Sequence, residues 1–371
     1  MKILKKIKSL IKTYVPVIPG IIYIIAILSG LLYVSFLVSE SFADFFNQNI
    51  SPTLRLVMAK MTGILPFSIA ETLLFTSPVL VFLVIRRAFD YIDREEHGFG
   101  RCVVTVTSVL ALLFSMFTLN FAAGYRGKTL DEKLGYGDES VTHEQLLETA
   151  EYTVGELNSL ADKVEFTSNG SVRAYTHKET VAAATESYSN LSEKYEFVSN
   201  FKAPVKRLAV SPLMTYTHIS GMYTFFTGEA NLNFNYPEYI NVFTVAHEMA
   251  HQRGIARENE ANFVAYLVCI GSDDVYMQYS GHLNMLEYLI SAIGKTSKDD
   301  VRALYASLDK RVYDDLVSYS EFFKRYSHST ASKVAETVND TYLQSQGTPG
   351  SVSYGMVVSL AVKHYLANEA K

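Results

Sequence analysis

The residues best suited to chemistry lie in the run HEMAH, which places His247, Glu248 and His251 within five positions. Because the two histidines are four residues apart on a predicted helix, their imidazoles project from one face about 6 Å apart and can bind one ion. Zinc acidifies water toward a pKa of ~7, so a neighbouring carboxylate can take its proton and pass it to a leaving group. The run therefore predicts one Zn²⁺ per chain, with Glu248 as the catalytic general base.

A zinc site of this kind needs a third protein ligand, which the next dozen residues can supply. Gly254 suits the left-handed conformation of a helix C-cap, so the chain can reverse direction there. The helix predicted to follow presents Glu258, Glu260 and Asn262. Glu258 and Asn262 share a face as i and i+4, and can serve as ligand and supporting hydrogen-bond partner. Glu260 points about 160° away from Asn262 and stays open as an alternative ligand.

An HExxH run followed by a helix with E-x-x-A-N resembles the gluzincin metallopeptidases. The matching residues run from Glu258 to Asn262, and the resemblance implies Glu258 as the third zinc ligand and Asn262 as its support. The spacing departs from the gluzincin pattern, since Glu258 follows His251 by only seven residues. It is nearer the metzincin pattern HExxHxxGxxH, but Arg257 occupies the metzincin ligand position, and an arginine cannot bind zinc.

Three apolar stretches in the first third of the chain predict transmembrane helices. They lie near residues 15–38, 64–85 and 102–123, and each is long enough to cross about 30 Å of hydrocarbon. Short charged loops separate them, which a single buried core helix would not explain. We therefore predict a membrane module of residues 1–125, followed by one soluble domain of residues 126–371.

The lysines and arginines of the loops predict the orientation of these spans. Five lysines precede the first span, the first loop contains only Arg55 and Lys60, and the second loop contains four arginines. This pattern predicts a cytoplasmic N-terminus and an extracytoplasmic soluble domain. Glu71 lies inside the second predicted span, and an intramembrane carboxylate is a candidate functional residue. Its place within two turns of the outer boundary also allows a partner in water or on another helix.

The soluble domain is predicted to be mainly helical with a small β-sheet. Segments 207–214 and 221–235 are rich in aromatic and β-branched residues, which predicts two strands. An edge strand beside the site helix can bind a substrate backbone by strand addition, and segment 221–235 is the candidate. Helical patterns cover residues 141–164, 179–197, 238–253, 257–270, 274–294, 299–327, 332–345 and 353–368.

Four further side chains are candidates for contacting a substrate or stabilising an oxyanion. Glu229 could bind a substrate N-terminus, or could simply occupy a turn in the run TGEAN. A tyrosine or histidine commonly supplies an oxyanion donor besides the metal, and the candidates downstream are Tyr279, His282 and Tyr354. A structural role is at least as compatible with each of them, because the chain has 25 tyrosines and lone histidines are commonly structural.

Composition argues against several other classes of protein. The net charge is -5 and the pI is near 6.0, and no basic stripe indicates nucleic-acid binding. The chain has only two cysteines, Cys102 and Cys269, which excludes a disulfide scaffold and argues against a cysteine-based metal site.

Over nearly its full length the chain resembles a family of uncharacterised bacterial membrane proteins, known as a domain of unknown function. The resemblance rests on the three spans, a G-x-x-P-F-S segment at Gly63–Ser68, a GEAN segment before the HExxH run, and a late SYG. It implies a multi-pass protein of the bacterial cell membrane and agrees with the zinc site, and it implies no substrate.

The sequence therefore predicts a membrane-anchored, zincin-like metallopeptidase that acts on peptides or proteins, including membrane-associated ones. The same site could instead hydrolyse a cell-wall or lipid-linked amide, because the motif specifies the hydrolytic groups and not the specificity pocket. A non-catalytic membrane sensor or scaffold is a further alternative. Glu248 argues against it, since a structural zinc site has no need of that carboxylate.

Overall fold

The structure is a computed structural model that describes residues 2–94, 96–137, 139–327, 329–348 and 354–368. The chain up to Arg126 is almost entirely helical. Two π-helical turns, Phe46–Ile50 and Thr118–Ala122, connect helices in this part without interrupting them. The helices are α1 (Lys2–Tyr14), α2 (Val17–Val38), α3 (Glu40–Phe45), α4 (Ser51–Gly63), α5 (Ile69–Arg94), α6 (Gly98–Phe117) and α7 (Ala123–Arg126).

Among the residues that the structure describes, three helices are long and apolar enough to cross a membrane: α2, α5 and the continuous helix Gly98–Arg126. Most of their large apolar side chains are exposed, which is the surface expected of helices that contact lipid. These helices agree with the three predicted spans and indicate association with a lipid bilayer. The second helix begins at Ile69, later than predicted, because α4 ends at Gly63 and residues 64–68 form a turn.

The remainder of the chain is mainly helical, as the sequence predicts. Helix α12, which carries the HEMAH run, lies in the middle of the core and is buried on nearly all sides, and α13 and α14 pack against it. The helices are α8 (Leu130–Leu134), α9 (His143–Ala161), α10 (His177–Lys194), α11 (Ser211–Met214), α12 (Glu238–Gln252), α13 (Glu258–Ile270), α14 (Val275–Ile293), α15 (Lys298–Ser307), α16 (Lys310–Lys324), α17 (Thr330–Ser345) and α18 (Tyr354–Asn368).

In the described part of the chain, two small sheets accompany these helices. Strands β1 (Glu165–Thr167) and β2 (Gly170–Val172) form an antiparallel hairpin. The second sheet has the order β3-β5-β4, with β3 (Val205–Arg207) parallel and β4 (Gly221–Thr224) antiparallel to β5 (Glu229–Leu232). Within the described residues, β4 pairs only with β5, so its other edge is open.

The structure corrects three details of the predicted elements. Segment 207–214 is not one strand, because β3 ends at Arg207 and Pro212 lies in the first turn of α11. Segment 221–235 is not one strand either, because it turns back after Thr224 with Gly228 in the left-handed region. The helix predicted over 299–327 is divided at Leu308, where Asp309 caps the start of α16.

Two carboxylates fasten the second sheet to the start of α5. The Glu229 carboxylate accepts hydrogen bonds from the backbone N–H groups of Ile69 and Ala70, both at 3.0 Å. The Glu71 carboxylate accepts from the N–H groups of Ala209 and Val210, at 3.1 and 2.8 Å. Carboxylates are favourable partners for the free N–H groups at a helix N-terminus. Glu71, a candidate functional residue in the sequence, therefore joins α5 to the segment that follows β3.

Lys206 completes this junction from β3. Its ammonium donates to Glu229 Oε1 at 2.5 Å and to the carbonyl oxygens of Thr62 and Phe67 at 2.7 and 2.8 Å. Both Lys206 and Glu229 are buried, so each charge depends on the other for compensation.

Replacing Glu229 with alanine is expected to destabilise the chain by about 3–5 kcal/mol, because the buried Lys206 ammonium would lose its counter-charge. The measurement is the Tm of the full-length protein in detergent, which should fall by several degrees. The matched control is the double variant Glu229→Leu/Lys206→Met, which removes both charges and should recover much of the loss. An unchanged Tm for Glu229→Ala would show that the junction does not contribute measurably to the stability of the fold.

Candidate metal centre

His247, His251 and Glu258 converge where α12 ends and α13 begins. The distance from Glu258 Oε2 to His247 Nε2 is 3.4 Å, and that from Glu258 Oε1 to His251 Nε2 is 3.5 Å. One potential ligand atom from each of the three lies within 4.8 Å of the others. Ligands about 2.0–2.1 Å from a tetrahedral zinc ion are about 3.3 Å apart, so these separations fit one such ion. The nitrogen and oxygen donors are also ones that zinc accepts.

The two imidazoles are oriented differently, and one of them is held by the backbone. His251 Nδ1 lies 2.7 Å from the Ile255 carbonyl oxygen, so Nδ1 carries a proton and donates it, and Nε2 is the nitrogen that can bind a metal ion. The rings of His247 and His251 are nearly perpendicular, with centroids 4.6 Å apart. His247 Nδ1 is buried without a hydrogen-bond partner. Both histidines therefore have Nε2 available to a common ion.

The reversal between the two helices depends on Gly254. Its φ of 91° lies in the region that favours glycine, and the Ile255 N–H donates to the Ala250 carbonyl across the helix end. The left-handed glycine predicted at this helix end is thereby confirmed, although the C-cap residue itself is Arg253 and Gly254 follows it. Because α13 starts only four residues later, Glu258 is brought back over the histidines in its first turn.

Glu248 lies beside the three converging residues and is not one of them. It is 3% exposed, and its Oε2 atom is buried without a hydrogen-bond partner. Its other oxygen contacts β4 so closely that a Cβ at position 221 would collide with it. Burial raises the pKa of Glu248 to about 7, although the charges of His247 and His251 act in the other direction and lower it. A carboxyl group in this environment can exchange a proton near neutral pH.

The charges of the three converging groups depend on one another. Burial would raise the pKa of Glu258, but the charge and hydrogen bonds of the two histidines hold it well below its usual range. Burial likewise would lower the pKa of His251, but the Glu258 carboxylate raises it to about 9. With Glu258 ionised, the space between these groups favours positive charge, which a divalent cation can supply in place of the proton on His251.

Glu260, the alternative ligand, points away from the histidines. Its Oε1 atom accepts hydrogen bonds from the Leu130 N–H and from the Arg257 guanidinium, both at 3.0 Å. Asn262 lies one turn after Glu258, and no hydrogen bond joins the two within the described residues. The structure thus brings Glu258 to the histidines, directs Glu260 to Arg257, and gives Asn262 no supporting contact with Glu258.

The turn between α12 and α13 is held by helices from the first part of the chain. Asn47 Nδ2 donates to the Gly254 carbonyl oxygen at 3.0 Å. Arg55 is fully buried against Gly254 and donates to Asn47 Oδ1, to the Asn47 carbonyl and to the Asn120 carbonyl at 2.8–2.9 Å. Arg55, which the sequence presents only as a charge in a loop, is therefore part of the support of the site.

Arg257, the last residue before α13, forms a second set of contacts with the same helices. Its guanidinium donates to the carbonyl oxygens of Tyr125 and Gly127 at 3.0 and 2.7 Å, besides its pairing with Glu260. The turn that carries His251 to Glu258 is consequently fixed at both ends. The predicted domain boundary at residue 125 lies inside α7, in the middle of these contacts.

Aromatic residues that the sequence did not single out lie around the site. The Phe121 ring contacts the rings of His251 and Tyr223, with centroids 5.9 and 5.3 Å apart. The rings of Tyr125 and Tyr342 pack edge to face, with centroids 6.1 Å apart, and both side chains interact electrostatically with Glu258. No local spacing connects Tyr125 with Tyr342, so only the fold could identify them.

The open edge of β4 faces the site. Asn233 N–H donates to the Ser220 carbonyl, and hydrogen-bonded pairs alternate along an antiparallel ladder. Gly221 and Tyr223 therefore turn their backbone N–H and C=O groups away from β5, toward the open edge. The Tyr223 N–H meets the Glu248 carboxylate there and favours its charged form. The predicted edge strand beside the site helix corresponds to β4.

The remaining candidate contacts do not lie at the converging residues. Tyr279 is fully buried and donates to Asp315 Oδ2 at 2.9 Å. His282 packs against Tyr266, eight residues or about 12 Å along α13 from Glu258, and burial lowers its pKa to about 4. Glu229 belongs to the junction with α5. Tyr354 begins α18, and its side chain lies outside the described part of the chain.

Comparison with known proteins identifies the family. Residues 46–362 match the family described as protein of unknown function (DUF3810). The chain belongs to the DUF3810 family. No curated protein and no solved structure matches it. The matched residues include α4, α5, both strands of the β4–β5 hairpin and the HEMAH helix, so the junction and the candidate metal centre both lie within the DUF3810 region. The predicted resemblance to a domain of unknown function is confirmed.

We expect the full-length DUF3810 protein, purified in detergent, to bind about one zinc ion. His247→Ala, His251→Ala and Glu258→Gln should each lower zinc affinity by at least about tenfold, because each removes a donor. Glu186→Gln, on the exposed face of α10, is the matched control and should keep the metal, while Glu260→Gln tests the alternative ligand. Metal analysis after dialysis measures the outcome, and zinc retained by Glu258→Gln but lost from Glu260→Gln would reverse the assignment.

We also expect Arg55→Met to weaken zinc binding by about 10–100-fold, the range for residues that orient metal ligands. The variant keeps every ligand but loosens the Gly254 turn. Arg302→Met, on an exposed face of α15, is the control and should bind zinc normally. Asn47→Ala provides a milder test if Arg55→Met fails to fold. Unchanged zinc affinity in both variants would show that the turn does not need its contacts with the membrane-side helices, which are those of the chain up to Arg126.

Proposed function

We propose that this chain is a membrane-anchored zinc metallopeptidase with a zincin-like catalytic domain. The observation that carries the proposal is the convergence of His247, His251 and Glu258 around one ion-sized space, with the buried Glu248 carboxylate beside it. Two histidines from one helix and a glutamate from the next match the gluzincin-type ligand set that the sequence pattern resembles. The helix–turn–helix and the adjoining sheet edge support a zincin-like fold.

The protein groups have separate roles in the proposed reaction. When bound, the zinc ion supplies Lewis acidity, which polarises a carbonyl and acidifies water. Glu248 accepts a proton from the attacking water and delivers it to the departing amine, a task suited to a carboxyl with a pKa near neutrality. The Ile255 carbonyl accepts a hydrogen bond from His251 Nδ1, so Nε2 is the nitrogen left to bind the metal ion. These roles require both carboxylates, Glu258 to hold the ion and Glu248 to move the proton.

The open edge of β4 is the proposed site for the substrate backbone. An extended peptide can pair with the outward N–H and C=O groups of Gly221, and with the C=O of Tyr223, by strand addition. Gly221 has no side chain between the strand and Glu248, and a Cβ there would collide with that carboxylate. Pairing at this edge would hold a scissile carbonyl close to Glu248 and the metal ligands.

Tyr342 and Tyr125 are the proposed donors for the developing oxyanion. Both side chains interact electrostatically with Glu258, whose side chain is 34% exposed. Tyr279 is instead bound to Asp315, and His282 packs against Tyr266. A hydroxyl that donates to the charge formed in the transition state stabilises it selectively. Tyr342 belongs to α17 and Tyr125 to α7, so two distant parts of the chain meet at this side of the site, with ring centroids 6.1 Å apart.

We further propose that the protein lies in the bacterial cell membrane with the N-terminus in the cytoplasm and the catalytic domain outside. The distribution of lysine and arginine supports this orientation. The catalytic domain follows the third membrane-crossing helix without a linker, since that helix ends at Arg126 and α8 starts at Leu130.

The decisive experiment compares cells that carry the wild-type chain with cells that carry Glu248→Gln. The variant should bind zinc normally and lose hydrolysis by a factor of at least about 10², because only proton transfer is removed. Mass spectrometry of new protein N-termini measures the outcome, and Glu186→Gln on the exposed face of α10 is the matched control. If the Glu248→Gln cells retain every new N-terminus seen with the wild type, the peptidase proposal is wrong.

A further inference from the structure

The position of the third membrane-crossing helix fixes how far the metal centre lies from the bilayer. Arg101 is near the start of this helix, where a charged residue has to reach the membrane surface. Phe121 follows twenty residues later, about 30 Å along the helix axis, which is the thickness of the hydrocarbon core. Phe121 therefore lies at the opposite boundary, on the side of the soluble domain.

The second membrane-crossing helix gives the same boundary independently. Arg86 lies at the far end of the apolar part of α5, and Ile69 is seventeen residues, or about 25 Å, away from it at the helix start. The N–H of Ile69 is bound by Glu229, the first residue of β5. The hairpin between β4 and β5 therefore sits at the membrane boundary, and Phe117 of the third helix contacts Phe225 in that hairpin.

The metal ligands lie a short distance beyond this boundary. The Phe121 ring packs directly on the His251 ring, and Tyr125, which interacts with Glu258, is one helical turn or about 6 Å further along. Along the sheet, Gly221 next to Glu248 is three residues from Thr224 at the hairpin end, about 10 Å. Two separate paths thus place the centre roughly 6–10 Å outside the hydrocarbon core.

We propose that the substrate is a membrane-anchored polypeptide, cut in the stretch that leaves the bilayer. This inference rests on the proposed peptidase function and adds where on the substrate the cut is made. An extended chain advances about 3.3 Å per residue, so two or three residues suffice to reach the metal centre from the boundary. The open edge of β4 leads from the hairpin at the membrane to Glu248 and can pair with such a segment along its length.

A polypeptide fits this edge better than a single lipid-linked amide. The outward backbone groups of β4 recur at every second residue, which matches the spacing of the groups on an extended peptide. A lone amide would leave most of them unpaired. Met222, between Gly221 and Tyr223, is 42% exposed and offers an apolar contact for a substrate side chain. Soluble proteins would have to bring an extended segment to within about 10 Å of the lipid surface, which a folded domain obstructs.

The test maps every new N-terminus that depends on Glu248 in cells with the full-length chain. The expected cut sites lie within about ten residues of an apolar segment of at least eighteen residues, on the side of the soluble domain. Cuts spread through soluble proteins would overturn this proposal and leave the peptidase function standing. Absence of any Glu248-dependent cut would overturn both. A Glu248-dependent change in lipid-linked amides without new protein termini would replace the polypeptide with a lipid-linked substrate.

A spacing series in lipid vesicles then tests the distance itself. One cleaved substrate is prepared with its anchor unchanged and with four, eight or twelve residues of a flexible spacer inserted between the anchor and the cut site. Cleavage should fall by at least about tenfold at the longest spacer, because the local concentration of the bond at the site falls as the tether lengthens. Equal rates for all four substrates would show that cleavage does not depend on the distance between the scissile bond and the membrane.

Discussion

The contact between the Gly254 turn and the membrane-side helices is the constraint on which the rest of the site depends. The turn has to bring Glu258 back over His251 within seven residues, and this requires a positive φ at Gly254 and a closely packed surface beneath it. Arg55 and Asn47 supply that surface, with buried hydrogen bonds to backbone carbonyls. Hydrogen bonds from a charged donor contribute about 1.5–3 kcal/mol each, and leaving such a guanidinium buried without them is unfavourable. The candidate metal centre is therefore formed jointly by the helices up to Arg126 and by the remainder of the chain.

Hydrogen bonds to backbone groups also explain why Glu71 and Glu229, which the sequence offers as functional candidates, have structural roles. Glu71 and Glu229 each bind free backbone N–H groups across the junction between α5 and the second sheet. A carboxylate at such a place is stabilised by the local dipoles and satisfies donors that would otherwise be unpaired at low dielectric. Lys206, buried between Glu229 and the end of α4, completes the junction, which fixes the sheet relative to the start of α5. The open edge of β4 is placed beside Glu248 as a consequence.

The proposed chemistry and the proposed substrate follow from this single arrangement. Glu258 is ionised next to two histidines, while Glu248 has a raised pKa because it is buried. Two carboxylates ten residues apart thus have opposite proton affinities, one suited to holding a cation and the other to moving a proton. The same residues contact Phe121 and the β4–β5 hairpin, and the proposal of a cut close to the lipid surface rests on these contacts. The proposed substrate is accordingly a polypeptide that emerges from the bilayer.

Part of this protein was determined by the sequence alone. The i and i+4 spacing of His247 and His251 fixes them on one helix face, Gly254 permits the reversal, and long apolar runs specify the membrane-crossing helices, because each of these depends on local backbone geometry or local hydrophobicity. The choice between Glu258 and Glu260 was not determined locally, since both lie in the first turn of α13. Only the packed structure decided it, because the Leu130 N–H and Arg257 bind Glu260 and thereby turn Glu258 toward the histidines. The contributions of Arg55, Tyr125 and Tyr342 could likewise not be predicted from the sequence. These residues come together from distant segments through packing, and local sequence periodicity does not predict such contacts.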